Sequence, residues 1–265
     1  MVLAACGGDD SSAGGDDAGV ALGRFFPDPI HTAGTNRRIA LGLLNADGSI
    51  RIDGPPVMSG VLLDGNGTEL GPIEGVRREA AIPRAYYEFR LDFPTPGTYT
   101  MRVEVDGTEI ETSLTAAEVG ALSFPGPGDP MPPFDTPTSG DGRGGDPICT
   151  REPFCPFHEV TLSDALAAGE RIAYLIGTPA YCETAICGPV LDVMMGLAGD
   201  YPQVRFLHSE VYTDDTVTTP APAVDAAGLS FEPVLFLVGS DGTISERLDV
   251  IVDENELRSH LDALR

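Results

Sequence analysis

Gly177-Thr178-Pro179-Ala180-Tyr181-Cys182-Glu183-Thr184-Ala185-Ile186-Cys187-Gly188-Pro189-Val190 decides how this chain is read. The apolar run Arg171-Ile172-Ala173-Tyr174-Leu175-Ile176 ends just before it, and Val190, Leu191, Val193, Met194 and Leu197 follow as far as Gly199. A short apolar run suits a buried strand, and apolar residues at helical spacing suit one face of a helix. Cys182 and Cys187, five positions apart, therefore stand at a strand-to-helix junction. Five positions within a helix do not share a face. Cys182 must then lie in the loop if the pair is to reach the Cα separation of ~4.4–6.8 Å that a disulfide needs. At a helix start, unpaired N–H groups and the positive end of the dipole stabilise a thiolate, which lowers a cysteine pKa from ~8.5 and makes Cys187 the stronger nucleophile.

Outward from this stretch the pattern predicts alternating elements. Ser163 can cap a short helix through Ala168 that Gly169 ends. Val204-Arg205-Phe206-Leu207 reads as a second strand, a helical turn follows near 222–228, and Pro233-Val234-Leu235-Phe236-Leu237-Val238 reads as a third. Gly239-Ser240-Asp241-Gly242 turns the chain into Thr243-Ile244-Ser245-Glu246-Arg247-Leu248. Asp253 with Glu256 gives a capping-box pattern before a helix carrying Leu257, Leu261 and Leu264 on one face. The order β-α-β-(α)-β-β-α predicts an α/β domain over 148–265, a mixed sheet flanked by helices.

The first half reads differently. Ile39–Leu44, Val57–Leu63, Tyr86–Leu91 and Tyr99–Val105 are short alternating runs separated by Asp-Gly, Asn-Gly and Pro-Gly punctuation, and Asp106-Gly107 suits a hairpin turn. Phe93-Pro94-Thr95-Pro96-Gly97-Thr98-Tyr99-Thr100-Met101 resembles the corner before a late strand of immunoglobulin-like sandwiches, where a Tyr hydroxyl bonds back to the backbone. The resemblance implies an all-β Ig-like sandwich of about seven strands over 21–118, a spacer or partner-binding module. His31 and the Arg37-Arg38 and Arg77-Arg78 pairs read as solvated loop or edge residues. Residues 119–147, rich in Pro and Gly, read as a linker with too little apolar surface to pack.

The first twenty residues are mostly Gly, Asp, Ala and Ser. Leu3-Ala4-Ala5-Cys6 resembles a bacterial lipobox, which implies lipidation at Cys6 followed by a polar tether over 1–20. Only five residues precede Cys6, so the charged and most of the apolar part of such a signal is not in the sequence. This implies an extracytoplasmic protein, lipid-anchored to the bacterial cell membrane through Cys6 alone. Hydrophobic residues at 42% suffice for real cores, and 265 residues are comfortable for two folded units. All 16 basic residues are Arg and the formal charge is −25, a field that repels nucleic acid and anionic lipid headgroups.

Strand order, the junction cysteines, a Pro opening the third strand and the Asp-Gly hairpin together resemble the thioredoxin fold over about 150–265. The most specific piece is Cys187-Gly188-Pro189-Val190, against the family's Cys-Gly-Pro-Cys. The resemblance gives Cys187 the attacking position, makes Pro233 the cis-proline beside it, and puts Gly188, Pro189, Glu232 and Tyr181 where substrate is positioned. Three departures stand out: Val190 replaces the resolving cysteine, no Trp precedes the motif, and no acid lies between Arg171 and Cys182. Cys182 offers a different partner from the other side, and the pair predicts thiol-disulfide exchange with envelope proteins bearing thiols or disulfides. No cofactor is expected.

Two other readings of the Cys182–Cys187 pair stay open. The Cys182–Cys187 pair suits a permanent clip of a short loop in a non-catalytic envelope lipoprotein. Copper chaperones of thioredoxin fold use a Cys-x3-Cys and a distant His, so Cys182, Cys187 and His208 are an alternative metal set. Cys149 and Cys155, flanking Thr150–Phe154, read as a structural disulfide stapling the entry to the domain, with His158 close behind.

Overall fold

The computed structural model describes residues 19–25, 29–182 and 185–265, which form twelve strands and four helices. The first eight strands are β1 (Ala21–Arg24), β2 (His31–Thr32), β3 (Gly34–Leu44), β4 (Val57–Leu63), β5 (Glu69–Arg78), β6 (Tyr86–Phe93), β7 (Gly97–Val105) and β8 (Thr108–Ala117). Alternation sets their faces: in β7, Tyr99, Met101, Val103 and Val105 are buried while Arg102 and Glu104 point away. The corner expected before β7 is present, since the Tyr99 hydroxyl donates to Thr95 O at 2.5 Å and accepts from Thr95 N at 3.1 Å.

The predicted Ig-like sandwich is nevertheless corrected. The eight strands form one curled sheet, ordered β1-β3-β6-β5-β4-β7-β8-β2, rather than two stacked ones. β5 pairs with both β4 and β6, and β4 pairs with β7, so no break divides the ladder. The curl brings β1 close to β8, where the Arg24 guanidinium donates to Ser113 O at 3.1 Å. Glycines permit it: a Cβ at Gly75 would lie 2.3 Å from the Phe89 ring, and one at Gly60 2.1 Å from Arg102 O. Leu41, Leu43, Met58, Phe89, Leu91, Met101 and Val103 fill the concave side.

The remaining elements are α1 (Leu162–Ala167), β9 (Arg171–Ile176), α2 (Cys187–Ala198), β10 (Val204–Ser209), α3 (Pro222–Ala226), β11 (Val234–Val238), β12 (Ile244–Asp249) and α4 (Glu254–Ala263). The four-stranded sheet runs β10-β9-β11-β12, with β9 parallel to β10 and antiparallel to β11. Here too the expectation of an α/β thioredoxin-like domain, a mixed sheet flanked by helices, is corrected. The described chain is mostly β, and α1 and α3 are only 6 and 5 residues long.

The reason is what covers the second face of this sheet. Ala173, Leu175, Leu235 and Leu237 pack against α2 and α4. On the other side Ile172, Tyr174, Ile176 and Phe236 meet single helical turns and the segment around Phe124, Met131 and Phe134. That segment belongs to the predicted linker, which instead lies along the sheet as a strap. Gly128 N donates to Ile244 O at 2.9 Å, Ile244 N to Asp129 O at 2.9 Å, and Met131 N to Gly242 O at 2.9 Å. A few well-placed aromatic and Met side chains suffice to anchor a Pro-rich segment whose average composition argues against packing.

Of the two arginine pairs, the reading of Arg38 as solvated is corrected. Arg38, only 4% exposed, forks onto Glu256 of α4 at 2.6 and 2.8 Å and donates to Asp249 O and Ile251 O. Tyr86 also hydrogen-bonds Glu256, and Asp253 N donates to the Tyr86 hydroxyl at 3.0 Å. The capping box is therefore half formed. Asp253 accepts from Glu256 N at 2.7 Å, but the Glu256 carboxylate turns to Arg38 instead of closing the box. Arg78 pairs with Glu88 at 2.6 Å. The two sheets are thus docked through buried charge. Burial opposes ionisation of Glu256, but the Arg38 guanidinium, with hydrogen bonds from Arg38 and Tyr86, holds its carboxyl below the ordinary range.

Candidate functional site

The strand end after β9, the start of α2 and the entry to β11 converge on the cysteine loop. Cys182 and Cys187 form a disulfide with a Cα separation of 6.1 Å, Cys182 in the loop and Cys187 as the first residue of α2. Ile186, the N-cap residue, makes no side-chain cap, and Cys187 N points at Cys182 Sγ across 3.4 Å. Cys187 is fully buried, whereas Cys182 is half-buried. Glu232 Oε2 lies 3.5 Å from Cys187 Sγ and accepts from Thr178 N at 3.2 Å. Residues 183–184 lie outside the described residues.

Other residues flagged in the sequence fall around this pair. Pro233 is buried behind a cis peptide bond from Glu232, directly before β11. Gly188 and Pro189 make up the half-buried first turn of α2, and Tyr181 is half-buried in the loop ahead of Cys182. Gly177 threads between them: a Cβ there would lie 3.0 Å from Pro233 Cβ and 3.8 Å from Cys187 Sγ. The acid missing upstream of the cysteines is supplied from across the sheet by Glu232, whose nearness to Cys187 comes from the antiparallel pairing of β11 with β9. Cys6 lies outside the described residues.

The predicted Cys149–Cys155 disulfide is corrected: both cysteines are free and buried. They meet His158 and His208 in a four-residue cluster whose ligand atoms all lie within 4.8 Å of one another. Cys155 Sγ is 3.2 Å from His158 Nε2 and 3.6 Å from His208 Nδ1, and the two ring nitrogens are 3.3 Å apart. His208 therefore stands with Cys149 and Cys155, not with the alternative metal set of Cys182 and Cys187. The Cys155 hydrogen bond pulls the Cys149 thiol well below its ordinary range despite burial, aided by His158 and His208. Burial pushes His208 down, but the Cys149 hydrogen bond and the Glu210 charge leave it raised.

Backbone contacts hold this second cluster in place. Ser139 N donates to His158 O at 2.8 Å, and His208 N to Phe157 O at 3.3 Å. Glu210 Oε1 accepts from Thr150 N at 2.6 Å and from its hydroxyl at 2.9 Å, tying the Cys149 loop to the end of β10. The Cys155-Pro156-Phe157-His158 spacing carried a local signal for such a cluster, two ligand types three positions apart. Its fourth member, His208, arrives only because β10 runs beside β9. The chain matches no protein-family model and no curated protein.

Proposed function

We propose that the protein exchanges thiols and disulfides through the Cys182–Cys187 pair, acting on dithiols or disulfides of other envelope proteins. The observation that carries this reading is a disulfide at a helix start with a carboxylate 3.5 Å from the buried sulfur. Relative burial reverses the roles expected from the sequence. An outside thiolate reaches the half-buried Cys182 Sγ; fully buried Cys187 is the leaving group.

The step balances as follows. A substrate thiolate attacks Cys182 Sγ, the Cys182–Cys187 bond breaks, and its electron pair stays on Cys187. The helix N-terminus stabilises that thiolate, and better-stabilised thiolates leave faster. Glu232 is placed to carry the proton that converts the Cys187 thiolate to a thiol. The second substrate thiolate then attacks the mixed disulfide, releasing Cys182 and leaving the substrate oxidised by two electrons. The reverse sequence reduces a substrate disulfide, with Cys182 attacking and Cys187 resolving.

A formed disulfide fits an oxidising compartment, and we place the protein outside the cytoplasm, anchored through lipid at Cys6. Among the described residues no helix is long and apolar enough to cross a membrane. The test uses the reduced full chain with glutathione disulfide as probe. Cys187→Ser should accumulate a mixed disulfide on Cys182, seen by peptide mass spectrometry, while Cys182→Ser should accumulate none. A wild-type Cys182–Cys187 bridge that stays closed under a mild dithiol would make the pair a loop staple and end this reading.

A further inference from the structure

We propose that Cys149, Cys155, His158 and His208 form a closed tetrahedral zinc site, separate from the exchange disulfide. Four buried side chains of the types that zinc prefers converge on one point, with exposures of 4%, 0%, 1% and 1%. Around a tetrahedral ion, bonds of ~2.3 Å to sulfur and ~2.05 Å to nitrogen place the ligand atoms ~3.3–3.8 Å apart. The observed separations of 3.3 and 3.6 Å fall on those edges, and the 3.2 Å one lies just short of them.

The orientation of His208 adds an independent argument. Its Nε2 stands 2.9 Å from Gly177 O, a carbonyl that can only accept, so Nε2 carries the proton. Nδ1 is thereby turned into the cluster, 3.6 Å from Cys155 Sγ and 3.3 Å from His158 Nε2. A backbone carbonyl that fixes the far ring nitrogen is the usual outer partner of a metal-bound histidine. Charge favours a divalent ion: two thiolates and one divalent cation sum to zero, whereas a monovalent ion would leave a net negative charge in the core.

The site also accounts for the contrast between the two cysteine pairs. One is a disulfide, yet Cys149 and Cys155 are free within the same molecule. Thiolates held on zinc are withheld from oxidation. All four ligands are protein groups, which leaves no open coordination position, so the role is structural: it pins the 149–158 entry loop onto β10. Gly177 O connects this site to the loop that carries Cys182.

The full chain, purified with zinc and passed over a chelating resin, should retain about one zinc per molecule, with an X-ray absorption shell of two sulfurs and two nitrogens. Cobalt substitution should give thiolate charge-transfer bands and the intense visible bands of a tetrahedral ion. Cys155→Ser and His208→Gln should lower retained metal at least ~10-fold. Cys182→Ser/Cys187→Ser should retain it fully, so loss of exchange and loss of zinc are read separately. The proposal is overturned by wild-type protein that holds no zinc, by sulfur ligands that vanish in Cys182→Ser/Cys187→Ser, or by a Cys149–Cys155 disulfide in peptide maps.

Discussion

Replacing Glu256 with Gln removes the anion on which the docking of the two sheets turns. Arg38 would keep the Asp249 and Ile251 carbonyls and at most one neutral amide oxygen, while its guanidinium stays 4% exposed and charged. Two unit charges ~4 Å apart interact by ~4 kcal/mol at an effective dielectric of ~20. Breaking one side of a buried pair costs ~3–5 kcal/mol, because the other charge is stranded. For a chain of this size each kcal/mol moves the midpoint by roughly 2–4 °C. Glu256→Gln should therefore lower Tm by about 10 °C, and Arg38→Met by a similar amount. In the double variant no charge is stranded, so its loss should fall short of the sum of the singles by ~2 kcal/mol or more. Urea and thermal unfolding of the four proteins measure the cycle.

The pH dependence follows from the same pair. Against the opposing effect of burial, the Arg38 guanidinium and the hydrogen bonds from Arg38 and Tyr86 hold the Glu256 carboxyl of the folded chain below the ordinary glutamate range. Its contribution to stability is therefore fully present above the unfolded value and is lost as pH falls through the folded one. Wild type should lose this contribution only in acid, and Glu256→Gln should show a shallower acid slope. Single variants costing under ~1 kcal/mol, the figure for exposed pairs, or strictly additive singles, would refute a desolvated, coupled pair.

Two further outcomes test the site and the strap. Gly177→Ala puts a Cβ 3.0 Å from Pro233 Cβ and 3.5 Å from Cys187 Cβ, and it perturbs the residue whose carbonyl holds His208. It should slow exchange and weaken metal retention together, read by reductant kinetics and metal content; a change in only one would show that Gly177 does not connect them. Phe124→Ala removes a ring that packs on Phe231 and under the Arg247 guanidinium, and should cost ~3–5 kcal/mol in urea unfolding. A free linker would lose nothing.

Local order was the legible part of this fold. Arg171–Ile176 is β9 to the residue, Asp253 caps α4, and the Tyr99 hydroxyl returns to Thr95. Each depends on neighbours a few positions away. The sandwich failed because alternation tells which side chains point inward, not whether β4 joins β7 edge to edge or stacks on another sheet. The Cys149–Cys155 pairing failed for a related reason. Spacing showed two cysteines near each other, and only the fold revealed two histidines competing for the same sulfurs.

By itself, then, the sequence determined most of the elements and the cysteine junction but not β5, because periodicity, caps and turn residues act over one or two turns of chain. The tertiary structure alone decided that Glu232 lies 3.5 Å from Cys187, that Cys182 is the reachable sulfur, and that His208 leaves that pair for Cys149 and Cys155. These side chains lie 45 to 59 positions apart in the chain, or differ only in burial. Strand pairing fixes those relations, and no local pattern encodes which strand will be the neighbour.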